Sequence, residues 1–217
     1  KGGQFVMIKA FQTNDPMGRR AFAIGDVRDD VLSIFYDVVG KATKIMSQLK
    51  EGDHVRVFGP LGKGLFDTSD PRYLLIGGGV GLSGLTLLGK ELKKMKKDVV
   101  FVYGGRSKEH LGMRYWLEEE GFEYILYTED GSLGRRGIVV DVLREFDNSW
   151  TICTCGPKAM LRVIKELTVG YKVYLSLESR MACGWGVCLG CVVRNKDGRY
   201  VRVCYEGPVF RANEVIL

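Results

Sequence analysis

The chain has 217 residues, of which 46% are hydrophobic and 27% are charged, a balance typical of folded globular proteins and unlike that of disordered chains. No run approaches the roughly 18 consecutive apolar residues of a membrane span, so no transmembrane segment is predicted. The net charge of +6 is scattered, and its densest run, at residues 93–97, ends a predicted helix, which indicates a solvated face rather than a nucleic-acid surface.

Short β-prone runs separated by turn signals occupy the first part of the chain. They are Gln4–Phe11, Arg20–Arg28, Val31–Val39 and His54–Gly59, with a short helix predicted at Lys44–Leu49. Several short strands with glycine-rich turns predict a small antiparallel barrel. We assign it residues 1–69 and expect it to be shortened at its N-terminus, because the sequence opens without Met.

Strands and helices alternate from residue 70 to residue 171, which predicts βαβ units and a doubly wound parallel sheet. The predicted strands are Tyr73–Ile76, Val99–Tyr103, Tyr124–Thr128 and Trp150–Thr154. The predicted helices are one that ends near Lys97, and Lys108–Glu120, Val139–Phe146 and Lys158–Leu167. Residues 172–217 form a loop-rich third domain, with a hairpin turn expected at residues 195–198.

Four cysteines of this last segment, Cys183, Cys188, Cys191 and Cys204, are spaced C-x4-C-x2-C-x12-C. The first three follow the spacing of plant-type [2Fe–2S] ferredoxins. Glycines between them permit the tight backbone that aims several thiolates at one cluster. A disulfide framework suits small secreted domains, and a structural zinc site usually shows two C-x2-C pairs where this chain has one. Zinc and buried free thiols are the remaining alternatives.

A glycine run follows the strand Tyr73–Ile76 and precedes a predicted helix, the context in which such a run binds a pyrophosphate. It comprises Gly77, Gly78, Gly79, Gly81 and Gly84, the last three forming G-x-G-x-x-G. A tight turn without ligand is the alternative. The usual acidic residue about 20 positions on is absent, and Glu129 and Asp130 after the third strand are candidates for the ribose.

Cys155, Gly156 and Pro157 follow the fourth strand of this sheet. Ligands of open parallel sheets lie at the carboxyl ends of the strands, so we expect Cys155 beside the reactive end of a nucleotide. Cys153, two residues earlier, is expected to be an inert buried thiol.

Two segments of the barrel suit a second pyrophosphate. Arg20 opens Arg20–Ala23, and Gly40–Thr43 forms a Gly-x-x-Thr turn into a short helix. A pair of surface arginines, Arg19 and Arg20, is the alternative interpretation.

The order of these segments resembles the ferredoxin–NADP reductase superfamily, and most closely the electron-transfer subunits of NAD-dependent (class 1B) dihydroorotate dehydrogenases, over essentially the whole chain. The segments that carry the resemblance are Phe58–Gly64, Thr128–Ser132, Cys155–Met160 and Glu178–Gly184 with the later cysteines.

The resemblance implies three cofactors. FAD would be held in the barrel by Arg20, Ala21, Phe22, Ala23, Asp37, Val38, Val39, Gly40, Ala42 and Thr43. NAD would be held by Gly77, Gly78, Gly79, Gly81, Glu129, Asp130, Gly156 and Pro157, with Cys155 as the catalytic residue beside the nicotinamide. The iron of a [2Fe–2S] cluster would be held by Cys183, Cys188, Cys191 and Cys204.

The resemblance also implies a partner, an FMN-containing catalytic subunit that oxidises dihydroorotate, in a cytoplasmic heterotetramer of pyrimidine synthesis. Electrons would run from dihydroorotate through the partner's FMN, the cluster and FAD to NAD. Because a flavin handles one or two electrons, it suits the step between a cluster and a nicotinamide. The same arrangement of domains occurs in subunits of bifurcating transhydrogenases, sulfide dehydrogenases and hydrogenases, which are alternative functions. A non-enzymatic zinc-binding module is a further alternative.

Three features qualify these expectations. Ala23 lacks the hydroxyl that relatives direct at the flavin, and Asp37 stands where an arginine often faces the FAD phosphates, so its carboxylate would weaken phosphate binding. Glu129 and Asp130 would repel a 2′-phosphate, whereas Arg106 would attract one; two carboxylates against one arginine predict NAD over NADP.

Overall fold

The computed structural model describes residues 1–11 and 14–217. Its strands are β1 (Phe5–Lys9), β2 (Arg20–Ala23), β3 (Asp26–Arg28), β4 (Val31–Ser33), β5 (Arg56–Leu61), β6 (Arg72–Gly78), β7 (Asp98–Gly105), β8 (Glu123–Thr128), β9 (Arg135–Arg136), β10 (Thr151–Cys155), β11 (Val173–Ser176), β12 (Val192–Asn195), β13 (Tyr200–Arg202), β14 (Val209–Arg211) and β15 (Val215–Ile216). Its α-helices are α1 (Lys41–Met46), α2 (Ser83–Lys94), α3 (Arg114–Glu119) and α4 (Lys158–Leu167).

The N-terminal strands are antiparallel, as predicted, in a sheet of order β2-β1-β5 and a separate β3–β4 hairpin. The run predicted as one strand over Arg20–Arg28 divides at Gly25, whose N–H donates to the Ser33 carbonyl at 3.0 Å. A Cβ at Gly25 would lie 2.6 Å from the Phe35 ring, so the chain turns where only glycine fits. The strand predicted over Val31–Val39 ends at Ser33.

The large sheet has the order β14-β11-β10-β6-β7-β8-β9, and its strands from β11 to β9 run parallel, as predicted. Tyr73 and Leu75 of β6 share a buried cluster with Leu85, Leu88 and Leu92 of α2. Leu74 and Ile76 share a second cluster with Leu161 of α4. Because helices cover both faces, the strand reads as a continuous apolar run.

Three helix predictions need correction. The helix predicted at Lys44–Leu49 begins three residues earlier, as α1 at Lys41–Met46. The helix predicted over Lys108–Glu120 is a 3₁₀ turn at Lys108–His110 followed by α3, with Gly112, a poor helix former, between them. The segment predicted as a helix over Val139–Phe146 is a 3₁₀ helix at Val139–Arg144, where three valines restrict side-chain rotamers. No helix within residues 1–11 and 14–217 is long and apolar enough to cross a membrane.

The cluster segment is joined to the large sheet. Its β12–β13 hairpin turns at residues 195–198, as predicted, and the Gly198 N–H donates to the Asn195 carbonyl at 3.0 Å. Strand β14 leaves this segment and pairs antiparallel with β11. The predicted boundary after residue 171 therefore does not coincide with the edge of the sheet, since β11 and β14 both follow it.

A half-buried ion cluster ties the segment before β6 to the start of β11. Lys172 Nζ lies 2.7 Å from Asp67 Oδ2 and 2.6 Å from Asp70 Oδ2, and Asp70 also accepts from the Thr151 hydroxyl at 2.7 Å. The hydrogen bond from Lys172 lowers the pKa of both aspartates below the ordinary range. Burial opposes the charge on Lys172, but the two carboxylates raise its pKa overall.

Replacing this lysine should give a destabilisation that depends on pH. Lys172→Met should lower the free energy of unfolding by about 1 kcal/mol at pH 7, a modest value because solvent screens these partly exposed side chains. The folded-state pKa values of the aspartates are depressed, so their stabilisation is present above about pH 4 and lost as pH falls through the folded values. Urea unfolding at pH 7 and pH 3 measures the difference.

Lys196→Met removes a lysine from the hairpin turn and serves as the control. An equal cost of Lys172→Met at pH 7 and pH 3 would contradict the assignment of the stabilisation to these ion pairs.

Candidate functional site

The four C-terminal cysteines lie together as two pairs. The Cys183 thiol lies beside that of Cys188, and the Cys204 thiol lies beside that of Cys191. The Cys204 N–H also points at Cys191 Sγ, 3.4 Å away. Cys183 is close enough to Cys204 to interact with it electrostatically, so the two pairs are neighbours.

Backbone N–H groups of the loop converge on Cys183. Trp185 N lies 3.3 Å from Cys183 Sγ, and the N–H groups of Val187 and Cys188 point at the same sulfur. Burial opposes ionisation of Cys183, but these donors lower its pKa to about 6. The loop thus stabilises a thiolate, the form of cysteine that binds metal.

This arrangement fits a binuclear cluster better than a single ion. Zinc needs four ligands that converge on one point. A [2Fe–2S] cluster takes four thiolates, two on each iron, which is the pairing seen here.

The cluster loop rests directly on the N-terminal sheet. Gly184 has φ +70°, and a Cβ there would lie 2.6 Å from Cγ of Met7, which is fully buried in β1. Met7 pairs across the sheet with Ala21 of β2. Met7 is therefore in contact with the cluster loop and lies next to the strand that contains Ala21.

A cavity of about 670 Å³ lies between the antiparallel strands and the parallel sheet. Ten residues predicted from the sequence to bind FAD or to act in catalysis line it, namely Arg20, Ala21, Phe22, Ala23, Asp37, Val39, Gly40, Ala42, Thr43 and Cys155. The predicted contact Val38 is not among its lining residues. The predicted FAD segments and the predicted catalytic cysteine thus meet in one space.

The end of the cavity near α1 is suited to phosphate. Thr43 Oγ1 accepts N–H groups from Val39 and Gly40 at 3.0 and 3.1 Å, which closes the loop into α1. The N–H groups of the first helical turn have no partner within the helix, and residues 40–43 line the cavity. Arg20 adds a cation, braced by the carbonyls of the turn before β2. These donors fit the diphosphate of FAD.

The other end of the cavity is acidic and holds Cys155. Its Sγ lies 4.0 Å from Glu178 Oε1, and a Cβ at Gly84 would lie 3.0 Å from the same sulfur. Burial and the Glu178 charge raise the pKa of Cys155, which is therefore a neutral thiol at pH 7. Glu178 lines the cavity with an exposed side chain, and desolvation by the surrounding residues, followed by the charge of Asp37, raises its pKa.

The glycine run Gly77–Gly81 packs against the turn Cys155–Pro157. A Cβ at Gly78 would lie 2.9 Å from Pro157, and one at Gly81 would lie 2.6 Å from the Cys155 carbonyl oxygen. Gly79 differs, because it has φ +54° and no heavy atom within 4 Å of its Cβ position. Close packing explains most of this run, and Gly79 is the position that leaves room for a nucleotide.

The carboxylates predicted to contact ribose have different surroundings. Asp130 Oδ1 accepts the Ser132 N–H at 2.9 Å, and the Ser132 contacts lower the pKa of Asp130. Its carboxylate therefore supports the turn, while Glu129 is exposed beside it. Arg106 is adjacent, since its carbonyl accepts the Asp130 N–H at 3.2 Å. The side chain of Arg136, which sequence reasoning missed, lies against the same turn at Gly131.

Sequence reasoning assigned no role to the cavity residues that follow β11. Ser176 and Glu178 come from the carboxyl end of that strand, and β11 is the parallel neighbour of β10, which ends at Cys155. The sequence signal was a short apolar run followed by Glu178. The strand is not predicted separately from the sequence, because this run adjoins the cysteine motif and lies within the predicted cluster segment.

Comparison with known proteins agrees with this geometry. Residues 178–216 match the iron–sulfur cluster binding domain of dihydroorotate dehydrogenase B. The electron transfer subunit homolog of dihydroorotate dehydrogenase B (NAD(+)) from Aquifex aeolicus is 58% identical over 99% of this chain and 86% of its own length. The subunit from Listeria monocytogenes is 43% identical over 99% and 87%.

Two solved structures share the fold of this chain. The NADH-dependent reduced ferredoxin–NADP oxidoreductase matches with a TM-score of 0.86 and 31% identity, covering 100% of this chain and 79% of its own. Phthalate dioxygenase reductase shares the fold, with a TM-score of 0.64 and 14% identity over 99% and 67%. With relatives this similar along its whole length, the chain belongs to the family of electron transfer subunits of dihydroorotate dehydrogenase B (NAD(+)).

Proposed function

We propose that this chain carries electrons between a dihydroorotate dehydrogenase catalytic subunit and NAD, with a [2Fe–2S] cluster at its four cysteines and FAD in its cavity. The observation that carries the proposal is the position of β1. Its residue Met7 touches the cluster loop and pairs with Ala21, which lines the cavity that ends at Cys155. When bound, FAD exchanges two electrons with a nicotinamide and single electrons with a cluster.

Residues at different positions along the cavity have different binding roles. The first turn of α1 and Arg20 hold the FAD diphosphate, and residues 20–23 lie along the flavin. Gly79 leaves room for the NAD pyrophosphate, and Glu129 accepts a hydrogen bond from its ribose. Cys155 presents an uncharged thiol to the nicotinamide, because Glu178 and burial keep it protonated.

The partner we propose contains FMN and assembles with this chain as a heterotetramer. A cytoplasmic location suits the free cysteines, since thiols persist in a reducing compartment. The names of the relatives support a catalytic partner, because they are called electron transfer subunits of dihydroorotate dehydrogenase B.

A second candidate function is that of a subunit in an electron-bifurcating oxidoreductase. The observation that favours it is the similarity, at 31% identity, to the NADH-dependent reduced ferredoxin–NADP oxidoreductase. The higher identities, 58% and 43%, favour the first function. Co-purification from the native host, followed by a dihydroorotate-dependent NAD reduction assay, separates the two. An FMN-containing partner and activity with dihydroorotate are expected, and a partner active only with ferredoxin and NADPH would overturn the assignment.

The cluster is tested by removing its most exposed ligand. The anaerobically purified chain should hold about two iron and two sulfide per chain and give an S = 1/2 signal when reduced. Cys188→Ser should lose most of this iron, because one iron loses a thiolate, and the exposed position limits damage to the fold. Cys153→Ala, which removes a thiol outside the loop, should keep the cluster. Stoichiometric zinc without iron would contradict the proposal.

The nicotinamide site is tested at Cys155. Cys155→Ala should slow flavin reduction by NADH about tenfold in single-turnover measurements, because the side chain that positions the nicotinamide is gone. FAD and iron contents should stay unchanged. Cys153→Ala opens a comparable gap deeper in the same strand and should leave the rate near wild type. Equal rates for the two variants would remove Cys155 from the site.

Nucleotide preference is tested at Glu129. The wild type should prefer NADH, because the Glu129 carboxylate repels a 2′-phosphate. Glu129 is the residue to replace, because the Asp130 carboxylate supports its turn by accepting the Ser132 N–H. Glu129→Gln should raise kcat/KM for NADPH several-fold relative to NADH, since Arg106 and Arg136 would then be opposed by one carboxylate fewer. Glu123→Gln, at the opposite end of β8, is the matched control. A wild-type preference for NADPH would show that the arginines dominate.

A further inference from the structure

Arg202, at the end of β13, contacts the cluster loop from outside. Its Nη1 donates to the carbonyl of Gly186 at 2.8 Å. Glu206 holds the same guanidinium, because Arg202 Nε lies 3.1 and 3.0 Å from its two carboxylate oxygens. The Arg202 backbone N–H also donates to Glu206 Oε2 at 2.7 Å. Such a two-pronged contact fixes the orientation of the planar guanidinium as well as its position.

Gly186 is held on a second side by an aromatic ring. It is buried with φ +84°, and a Cβ there would lie 3.0 Å from Tyr205 Cβ and 3.1 Å from Tyr205 Cγ. The ring is itself fixed, since Lys63 Nζ donates to the Tyr205 hydroxyl at 2.6 Å and lies 3.9 Å from the ring centroid. The guanidinium carbon of Arg202 lies 4.6 Å from that centroid. Gly186 is thus confined between Arg202 and Tyr205.

Gly186 also lies close to one of the cysteines that would bind the cluster. The backbone N–H of Gly186 is directed toward the Cys204 thiol. In the same loop, Trp185 N lies 3.3 Å from Cys183 Sγ. Hydrogen bonds to ligand sulfurs stabilise added negative charge and are among the factors that set the potential of an iron–sulfur cluster. A small rotation of Gly186 would remove one such bond.

Charge alone does not account for the position of Arg202. Its guanidinium is paired with the Glu206 carboxylate, so the two together carry little net charge toward the cluster. The contact that remains specific to the cluster is the hydrogen bond to Gly186.

We infer that Arg202 is a positioning residue for the cluster. It fixes Gly186 so that the backbone N–H stays directed at the Cys204 sulfur, and it thereby raises the reduction potential of the cluster. This inference rests on the proposed [2Fe–2S] cluster. It concerns only the tuning of that cluster, not its presence.

The test compares Arg202→Met and Arg202→Lys with wild type in the full chain by anaerobic redox titration and EPR. At a fixed solution potential the ratio of reduced to oxidised cluster should fall about tenfold in Arg202→Met, a shift of 59 mV for a one-electron couple. The g-values of the reduced cluster should change with it. Arg202→Lys should fall by nearly as much, because an ammonium lacks the fork that reaches Gly186 and Glu206 together.

Arg194→Met is the matched control, because it removes one positive charge from the neighbouring strand β12 without touching the cluster loop. It should leave both potential and g-values unchanged. If Arg202→Met fails to fold, Arg202→Lys decides. A wild-type potential in Arg202→Lys, or an equal shift in Arg194→Met, would overturn the inference in favour of a charge effect. Wild-type protein without iron would instead overturn the proposed function.

Discussion

The close contact between Gly184 and Met7 fixes the distance between the cluster loop and the N-terminal sheet, and the arrangement of the cofactor sites depends on that distance. Because residue 184 has no side chain and adopts φ +70°, the cluster loop can lie against a buried strand instead of standing off it. That strand is shared, since Met7 is bound across the sheet to Ala21 at the cavity. A larger residue at position 184 would move the loop away from the cavity and lengthen the path that an electron must cross.

The two ends of the cavity differ in charge because different segments of the chain line them. The α1 end offers helix N–H groups and Arg20, whereas the far end collects Asp37, Glu178 and a neutral thiol. A ligand with a diphosphate at one end and an uncharged ring system at the other matches this gradient. Gly79, at the carboxyl edge of the parallel sheet, leaves open space where a second nucleotide would approach.

Local patterns made much of this predictable. The cysteine spacing predicted the thiol quartet, the alternation of strands and helices predicted the parallel sheet, and α4 begins and ends where its pattern does. What the sequence could not reveal depends on contacts between distant segments. Glu178 reaches Cys155 only because β11 pairs with β10, and Asp130 is engaged by the Ser132 N–H, a local contact that charge counting ignores. The 3₁₀ helix at Val139–Arg144 reflects rotamer restriction that periodicity alone does not detect.

Strand β14 has a consequence for how this protein can change in evolution. It follows the last cysteine and yet completes the edge of the central sheet on β11. Removing the cluster segment would uncover the backbone groups of β11, an unpaired edge that invites association with other chains. The iron–sulfur segment therefore cannot be removed without exposing an edge of the central sheet. A descendant that dispensed with the cluster would need a replacement strand first, which favours retaining the fold of this segment even where its metal is lost.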